Sequence, residues 1–560
     1  MKNRKTLGWI YKNTRRYLPA VGLIAVLSAA VSVGYILLAY FSSYVIDIAT
    51  GQKGGNIRLY IGLLFGLIFL QAVLYVVNSS LRVRVTGKIE MALKGQMFLS
   101  LTKKEYSGIA PLHSGDILNR FTSDVEVVVS GIVGIVPNAV SLLSRLIAAL
   151  AVLISMSPRL AAVIVVIGVV VGFAARIYSK YFKGIHKEVQ SAMGETRSYM
   201  QECTENIVVV KTFGSAGTFH SKLKGLMMRV YKLKLRRNLI SNIANIAVFL
   251  LFTGGYYAAL SWGAFMVNRA TITYGTLTAL LSIVSQVRAP ITNMSGLIPQ
   301  YYSALASAER IMELGTLPDE PKSLPQADIM HIYERLSEIK LSGVSFQYGK
   351  KNGEVLKSAD MSLKKGTLTA LVGGSGEGKS TIFRLLLGLY HPNSGKLFLT
   401  TNDATNKIPV NSNLRGLFAY VPQGNMILSG TIDENIRFCN LSADRQAVID
   451  AAKCADLYDF VCSLPNGFDT VIGERGLGLS EGQIQRISIA RAVLSGAPIL
   501  LLDECTSSLD EKTEKTVLQN IKAMTNRTVL IISHRPAALS VCDKIYRLSG
   551  GILHQEEPLN

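Results

Sequence analysis

The feature that most constrains this chain is its long stretches without a single charge. Thirty residues separate Arg16 from Asp47 with none between them. Further charge-free runs cover Leu59–Leu81, Val127–Ser144, Leu160–Ala175, Asn238–Asn268 and Ala270–Val287, the last resuming over Ala289–Ala308. About 20 apolar residues suffice to cross a hydrocarbon core. The runs therefore predict six transmembrane helices, roughly at 17–46, 59–81, 127–157, 159–180, 238–268 and 272–308. Buried core helices of a soluble protein would carry more polar surface than these do.

Charge gives the orientation. The 560 residues carry a formal +21, but +18 of it falls in residues 1–338 and only +3 in 339–560. With 49% hydrophobic residues, 17% charged and a mean hydropathy of +0.31, a soluble enzyme, a disordered chain and a collagen-like chain are all excluded. Lys2, Arg4, Lys5, Lys12, Arg15 and Arg16 precede the first run, which places the amino terminus in the cytoplasm. That run is too long for a cleavable signal and lacks a small-residue cleavage site. An even number of spans returns the carboxyl terminus to the cytoplasm, so the expected setting is multi-pass in a cell membrane, a bacterial plasma membrane. Nucleic acid is not an expected partner, because the +3 portion offers no basic patch. The basic excess instead suits anionic lipid headgroups as a partner surface.

The connections between spans 2 and 3 and between spans 4 and 5 are long, basic and free of Gly/Pro clusters. Helices continuing about 25 residues beyond the membrane would reach about 35–40 Å into the cytoplasm. Each is expected to turn at a short coupling segment, near 114–120 and 214–220. The division that follows is a transmembrane domain over 1–314, a linker over 315–338 with turn chemistry at Gly315–Pro325, and a globular domain over 339–560. The six cysteines all fall in segments assigned to the cytoplasm and form no CxxC pair, as expected of reduced thiols.

The globular part carries phosphate chemistry. Thr367–Val372 reads as a β-strand and leads into GGSGEGKS, Gly373 to Ser380, a full match to G-x-x-x-x-G-K-[ST]. Glycines let backbone N–H groups turn toward phosphate oxygens, and the next helix points its positive end there. Lys379 is expected to reach the β- and γ-phosphates and Ser380 to ligate Mg²⁺. A second apolar strand, Pro498–Leu502, ends in Asp503 and Glu504. Asp503 would hold Mg²⁺ through water and Glu504 would polarise the attacking water; the pair alone could equally be an ordinary strand-end acidic pair. A third strand, Thr528–Ile532, ends in Ser533–His534, where the histidine can meet a γ-phosphate. The fold class predicted is an α-helical membrane domain of six transmembrane helices with long cytoplasmic extensions, joined to an α/β P-loop ATPase domain.

Residues 339–560 resemble the nucleotide-binding domain of an ABC transporter, with the marks in the family's order: Tyr348, GGSGEGKS, Gln423 in YVPQ, LSEGQ at Leu479–Gln483, ILLLDE at Ile499–Glu504, SSLD at Ser507–Asp510, and His534. Six spans with long cytoplasmic extensions resemble the exporter-type (type IV) half-transporter, so the resemblance covers nearly the whole chain. It implies ATP as ligand and Mg²⁺ as cofactor. ATP would be held by Tyr348 stacked on adenine, by Gly373, Gly374, Ser375, Gly376, Glu377, Gly378, Lys379, Ser380 and Thr381, and by Gln423. Ser480, Gly482, Gln483 and Asp510 would reach the nucleotide of a second chain. Mg²⁺ would be held by Ser380, Gln423 and Asp503, and hydrolysis carried by Glu504 and His534. It also implies a pair of half-transporter chains, a homodimer in preference to a heterodimer, exporting a substrate by alternating access.

One departure stands out: Glu481 replaces the first glycine of the usual LSGGQ, which is expected to weaken the composite site modestly. Arg145 and Arg288 lie mid-span without an acid at comparable depth. Intramembrane charges usually face a cavity, so both are expected to line the path of an anionic amphiphile, a lipid, peptide or drug; a structural arginine is the alternative. An ATP-gated channel or a regulatory sensor would share the same nucleotide domain, but needs binding more than the hydrolytic Glu504 and His534.

Overall fold

The computed structural model of the protein describes residues 2–560 apart from 157, 350–352, 403–406, 425–426, 474–477, 525–526 and 558–560, and apart from the side chains of 2–3 and of most positions in 159–183 and 289–295. The chain divides into two units. The first is Met1–Leu101 with Ser114–Thr316; the second is Thr102–His113 with Leu317–Asn560.

The first unit is helical: α1 (Lys2–Thr14), α2 (Leu18–Ala49), α3 (Ile57–Leu101), then, after α4 (Tyr106–Ile109) in the second unit, α5 (Ser114–Asn119), α6 (Val125–Met156), α7 (Pro158–Glu205), α8 (Ile207–Thr212), α9 (Ala216–Asn268) and α10 (Tyr274–Gly315). Among the described residues, four helical stretches are long and apolar enough to cross a membrane: Arg4–Ala49, α3, Ser114–Met156 and α9. None of the most apolar window of α3 or α9 is buried within the chain. Phe69, for example, is 73% exposed, which suits contact with lipid tails. The expected spans 4 and 6 fall on α7 and α10, where many side chains lie outside the described residues. Between helices the contacts turn polar. Ser32 and Ser141 hydroxyls meet at 2.6 Å, Asn78 Nδ2 donates to Ser28 Oγ at 3.0 Å, and Gln71 Nε2 donates to the Val31 carbonyl at 3.2 Å. These bonds hold α2 against α3 and α6, the role such groups take where apolar burial supplies no driving force.

The turns between the long helices lie earlier than the sequence reading places them. Instead of Ser114–Arg120, the stretch set apart from the helical unit is Thr102–His113, carrying α4. Ser114–Arg120 runs through α5 into a π-helical turn, Arg120–Asp124, that leads directly into α6. Ion pairing explains its place: buried Asp124 pairs with Arg310 on α10, and Arg120 donates to the Arg310 carbonyl at 2.8 Å. The second break falls at Phe213–Ser215 after α8, where Gly214 takes a left-handed φ of +61°. His220 already lies inside α9.

The second unit is a sheet-and-helix domain. Its strands are β1 (Leu336–Phe346), β2 (Leu356–Lys364), β3 (Leu368–Gly373), β4 (Ser394–Thr401), β5 (Lys407–Pro409), β6 (Phe418–Val421), β7 (Gly430–Thr431), β8 (Val471–Ile472), β9 (Ile499–Asp503), β10 (Thr528–Ile532), β11 (Lys544–Ser549) and β12 (Ile552–Glu556). Its helices are α11 (Gln326–Glu334), α12 (Lys379–Leu386), α13 (Ile432–Arg437), α14 (Arg445–Cys454), α15 (Tyr458–Ser463), α16 (Glu481–Leu494), α17 (Glu511–Ala523) and α18 (Pro536–Leu539). An antiparallel sheet runs β2-β1-β4-β5, and a six-stranded sheet runs β12-β11-β3-β10-β9-β6, parallel except for β12. Every residue of β3, β9 and β10 is buried, which is why these strands read as continuous apolar runs instead of alternating ones. Within the expected linker 315–338, the chain enters this unit at Leu317, and α11 buries Ile329 and Tyr333 in its core.

Candidate nucleotide site

Parallel pairing decides where the polar strand ends go. In the register, Ile532 of β10 stands opposite both Asp503 of β9 and Leu371 of β3, and Val421 of β6 stands opposite Leu502. Four strands therefore finish at one edge. There they deliver the glycine loop after β3, Asp503 and Glu504 at the end of β9, Ser533 and His534 after β10, and Gln423 after β6. Ligands of open parallel sheets bind beyond such carboxyl ends.

The glycine loop, Gly373 to Gly378, leaves Gly374, Ser375 and Gly376 exposed at its tip. Gly378 opens α12 with φ +106°, and a Cβ there would meet Val355 Cγ1 at 2.5 Å, so only glycine fits. Among the described residues no side chain caps the start of α12. Lys379 is buried and its Nζ donates to the Gly373 and Gly374 carbonyls at 2.7 and 2.9 Å, arching across the loop. The Glu377 carboxylate accepts the Gly374 N–H at 2.6 Å. Ser380 Oγ donates to Asp503 Oδ1 at 3.3 Å, which joins the loop to the end of β9.

Asp503 is 2% exposed and its other oxygen accepts from the Tyr420 hydroxyl at 3.2 Å. Burial pushes its carboxyl above the ordinary carboxylate value, against the pull of the Ser380 and Tyr420 hydrogen bonds. Burial, with Asp503 beside it, likewise pushes the Tyr420 phenol up. Glu504 has a left-handed φ of +49°, a strained backbone for a non-glycine residue, and its N–H donates to the Ile532 carbonyl at 3.1 Å. That backbone turns its carboxylate to the Gln423 amide, which donates to it. His534 is exposed just beyond β10. Among the described residues no group of three His, Cys, Asp or Glu could hold a metal. The Ser380 hydroxyl and Asp503 carboxylate are instead the sparse oxygen set that suits Mg²⁺ bound mainly by phosphate and water.

Tyr348 is half-buried, edge-on to Phe346 and Tyr390 at centroid distances of 4.8 and 5.2 Å. Its hydroxyl lies 2.9 Å from Thr381 Oγ1 and accepts from Arg384 at 3.0 Å. The aromatic and the phosphate-loop helix are thus tied together.

The LSEGQ residues form a separate group. Ser480 caps α16: its Oγ accepts the Gln483 N–H at 3.3 Å while Gln483 Oε1 accepts the Ser480 N–H at 2.8 Å, a reciprocal capping box. Gly482 lies so close to the Ser508 carbonyl that a Cβ would sit 2.9 Å from it. Asp510 caps α17, accepting from Thr513 N–H at 3.0 Å, a bond that holds its carboxyl below the ordinary value. Glu481 is exposed in the first turn of α16. In the helical unit, Arg145 donates to Gln286 Oε1 at 3.1 Å and lies over the Tyr35 ring, while its buried Nε has no hydrogen-bond partner among the described residues. Arg288 is exposed, its guanidinium 5.9 Å from the Phe249 ring centroid.

Sequence reasoning missed three residues at this edge. Tyr420, the second partner of Asp503, stands in YVPQ itself. Gln485 donates to Ser507 and Ser508 at 3.2 Å and accepts the Ser508 N–H, tying α16 to the loop after Glu504. Glu514, wholly buried, accepts from Thr506 at 2.6 Å and pairs with Arg535 beside His534. A buried acid four residues after an N-cap, on the apolar face of α17, is the signal that could have found Glu514.

Known proteins resemble both parts of the chain. The profile of the ABC transporter transmembrane region matches residues 21–291, and the ABC transporter profile matches 356–507. ABC transporter B family member 1 of Dictyostelium discoideum is 30% identical over 522 residues, 92% of this chain; the chain spans only about half, 56%, of that protein. An ATP-dependent lipid A-core flippase of Photobacterium profundum is 30% identical over 491 residues, covering 87% of this chain and 83% of the flippase. The fold matches a bacterial Atm1-family ABC exporter with ATP bound at a TM-score of 0.78 and 23% identity, over 97% of this chain and 95% of that one. The chain belongs to the ABC transporter family, as a multi-pass membrane protein with the transmembrane region and the nucleotide domain on one polypeptide.

Proposed function

We propose that the chain is one half of an ATP-driven exporter that works as a pair of identical chains in a bacterial plasma membrane, both termini in the cytoplasm. The observation that carries this reading is the shared strand edge, where Lys379, Ser380, Asp503, Glu504, Gln423 and His534 gather on the chain that also carries the apolar helices. The glycine loop and the uncapped start of α12 bind the triphosphate, with Lys379 turning from its loop carbonyls to the β- and γ-phosphates. Ser380, Asp503 and Gln423 would hold Mg²⁺, which supplies charge neutralisation on the phosphates. Glu504, aimed by its backbone and by Gln423, takes the proton of the attacking water, and His534 steadies the γ-phosphate. Ser480, Gly482, Gln483 and Asp510 of one chain close on the nucleotide of the other. Hydrolysis removes the charge that joins the two, and the pair alternates between inward and outward openings.

The cargo class we favour is an anionic lipid. Arg145 supports it, a cation set mid-span whose partners among the described residues, Gln286 and Tyr35, are neutral. Relatives named as lipid A-core flippases lean the same way. The test is reconstitution of the purified chain in phosphatidylethanolamine/phosphatidylglycerol vesicles, with transbilayer movement of a fluorescent phosphatidylglycerol followed together with ATP turnover. ATP-dependent movement that falls in Arg145→Ala and Arg288→Ala is expected. Absence of ATP turnover without a second, different chain would sink the homodimer, and unchanged movement in both variants would sink the cargo assignment.

A further inference from the structure

The chain leaves the helical unit for the nucleotide unit at two places, after α3 and after α10, and the two departing segments are bonded to each other. Lys104 and Asp319 form an antiparallel bridge, with Glu320 N–H donating to the Lys103 carbonyl at 2.8 Å and Glu105 N–H to the Pro318 carbonyl at 2.9 Å. Lys104, 7% exposed, turns its ammonium onto the Leu317 carbonyl at 2.6 Å and the Asp319 carboxylate at 2.7 Å. A segment of this polarity, met in sequence, reads as slack linker. In the structure it has no slack: its backbone groups are spent on the first cytoplasmic turn.

The same segment is fastened to the nucleotide site. Glu320 receives a bidentate fork from Arg415, at 2.9 and 3.0 Å, with the Glu320 side chain only 15% exposed. Two parallel charge-assisted bonds fix direction as well as distance. The third guanidinium donor, Nε, bonds the Leu387 carbonyl at 3.0 Å, the residue that ends α12. A cation is favoured at a helix carboxyl end, and α12 is the helix whose amino end carries Lys379 and Ser380. The first turn reaches the same spot independently, with Tyr106 of α4 edge-on to Tyr390 at 5.7 Å.

We infer that Lys103–Glu105 and Leu317–Glu320 form a strap, locked by the Glu320–Arg415 pair to the far end of the phosphate-loop helix, through which nucleotide state is passed to α3 and α10 of the same chain. The inference rests on the transporter reading above. A displacement of α12 on nucleotide closure moves Leu387, and with it Arg415, Glu320 and both crossing segments; neither crossing can absorb the motion alone because each is paired to the other.

The test uses the full-length paired protein in a cysteine-free background, spin-labelled at Asn56 in the outer loop between α2 and α3. The distance between the two labels is measured with and without ATP plus orthovanadate. The wild type is expected to change distance on trapping. Glu320→Arg should lose most of that change while basal ATP turnover stays within about threefold and thermal stability holds, a modest change typical of a coupling residue. The exchange Glu320→Arg with Arg415→Glu should recover the change, since it restores opposite charges across the same gap. A Glu320→Arg pair that changes distance like the wild type overturns the strap, as does loss that the exchange leaves uncorrected. A wild-type pair that hydrolyses ATP with no distance change overturns the transporter reading itself, and is told apart from failure of the strap because it needs no variant.

Discussion

Two helix starts in the nucleotide unit face the same task with opposite chemistry. α12 begins at a left-handed glycine with no side-chain cap, and its first residues, Lys379 and Ser380, are bonded to the loop and to the end of β9. α16 begins with Ser480 and Gln483 satisfying each other's N–H groups, and both Ser480 and Glu481 are exposed. Every helix start offers unpaired N–H donors. At the first start no described side chain caps them, the Thr381 N–H bonding back to the Gly378 carbonyl at 3.0 Å, and the strand-edge residues gather around it; at the second, the capping box takes the N–H groups of Ser480 and Gln483. A single chain thus holds one uncapped helix start beside the strand edge and one capped start apart from it, and in the proposed transporter a pair of chains would bring the two together.

The contrast breaks hardest at Glu504. Glu504→Gln should lower ATP turnover by about 10³-fold, within the range of a lost general base, while fluorescent-ATP binding stays near wild type because the loop and Lys379 remain. Loss of binding along with turnover would mean that the +49° backbone at this position shapes the loop as well. Lys379→Ala should weaken ATP binding by about 100-fold, the scale of buried charge-assisted hydrogen bonds. Ser480→Arg should leave binding to one chain intact yet stop turnover of the pair. Co-expressing the Lys379→Ala and Ser480→Arg chains then provides the sharper reading. Mixed pairs contain one site with neither lesion, so part of the turnover should return. No recovery at all would show that the two starts do not combine across chains.

Asp503 tests how firmly the first half-site is built. Its folded carboxyl sits above the ordinary value, so between the two values the native state holds more protons than the unfolded chain. Stability is therefore full below the ordinary carboxylate range and falls as pH rises through the raised folded value. Without Mg²⁺, Asp503→Asn should melt a few degrees higher than wild type near neutral pH. The gain should shrink as pH drops toward the ordinary carboxylate range. A variant that melts lower would mean that the bonds to Ser380 and Tyr420 outweigh the burial of charge.

Much of this was legible in the residues, and the failures share a cause. Charge-free runs give the apolar helices, four of them long and apolar enough to cross a membrane among the described residues, because lipid demands apolar side chains along a whole helix, whatever its neighbours do. The carboxyl-end residues were legible because parallel strands must finish together. The turns between the long helices were misplaced because composition alone makes Ser114–Gly115 look like a break. Tertiary pairs between Arg120, Asp124 and Arg310 instead carry helical structure through it. Those partners stand about 190 residues apart, beyond the reach of any local pattern. Gln485 and Glu514 were missed for a related reason: each acts on a loop rather than on a ligand.

Two glutamates offer the finest comparison of the half-sites, one in each. Glu377 accepts the Gly374 N–H, a donor of the proposed phosphate cradle, whereas Glu481 sits exposed in the first turn of α16. A carboxylate at a helix start is worth about 0.3–1 kcal/mol to that helix, so Glu481 favours α16 while opposing the triphosphate only across solvent. Glu377 opposes phosphate in two ways, by its charge and by holding the N–H. Glu377→Ser should accordingly lower the KM for ATP by about tenfold, since a hydrogen bond to a charged group is worth about 1.5 kcal/mol, with kcat little changed. Glu481→Gly should lower it by about twofold, and that smaller effect should fade in high salt, because screening acts on exposed charges. If Glu481→Gly raised KM instead, its carboxylate would be part of the recognition surface, and the second helix start would be less self-contained than its capping box implies.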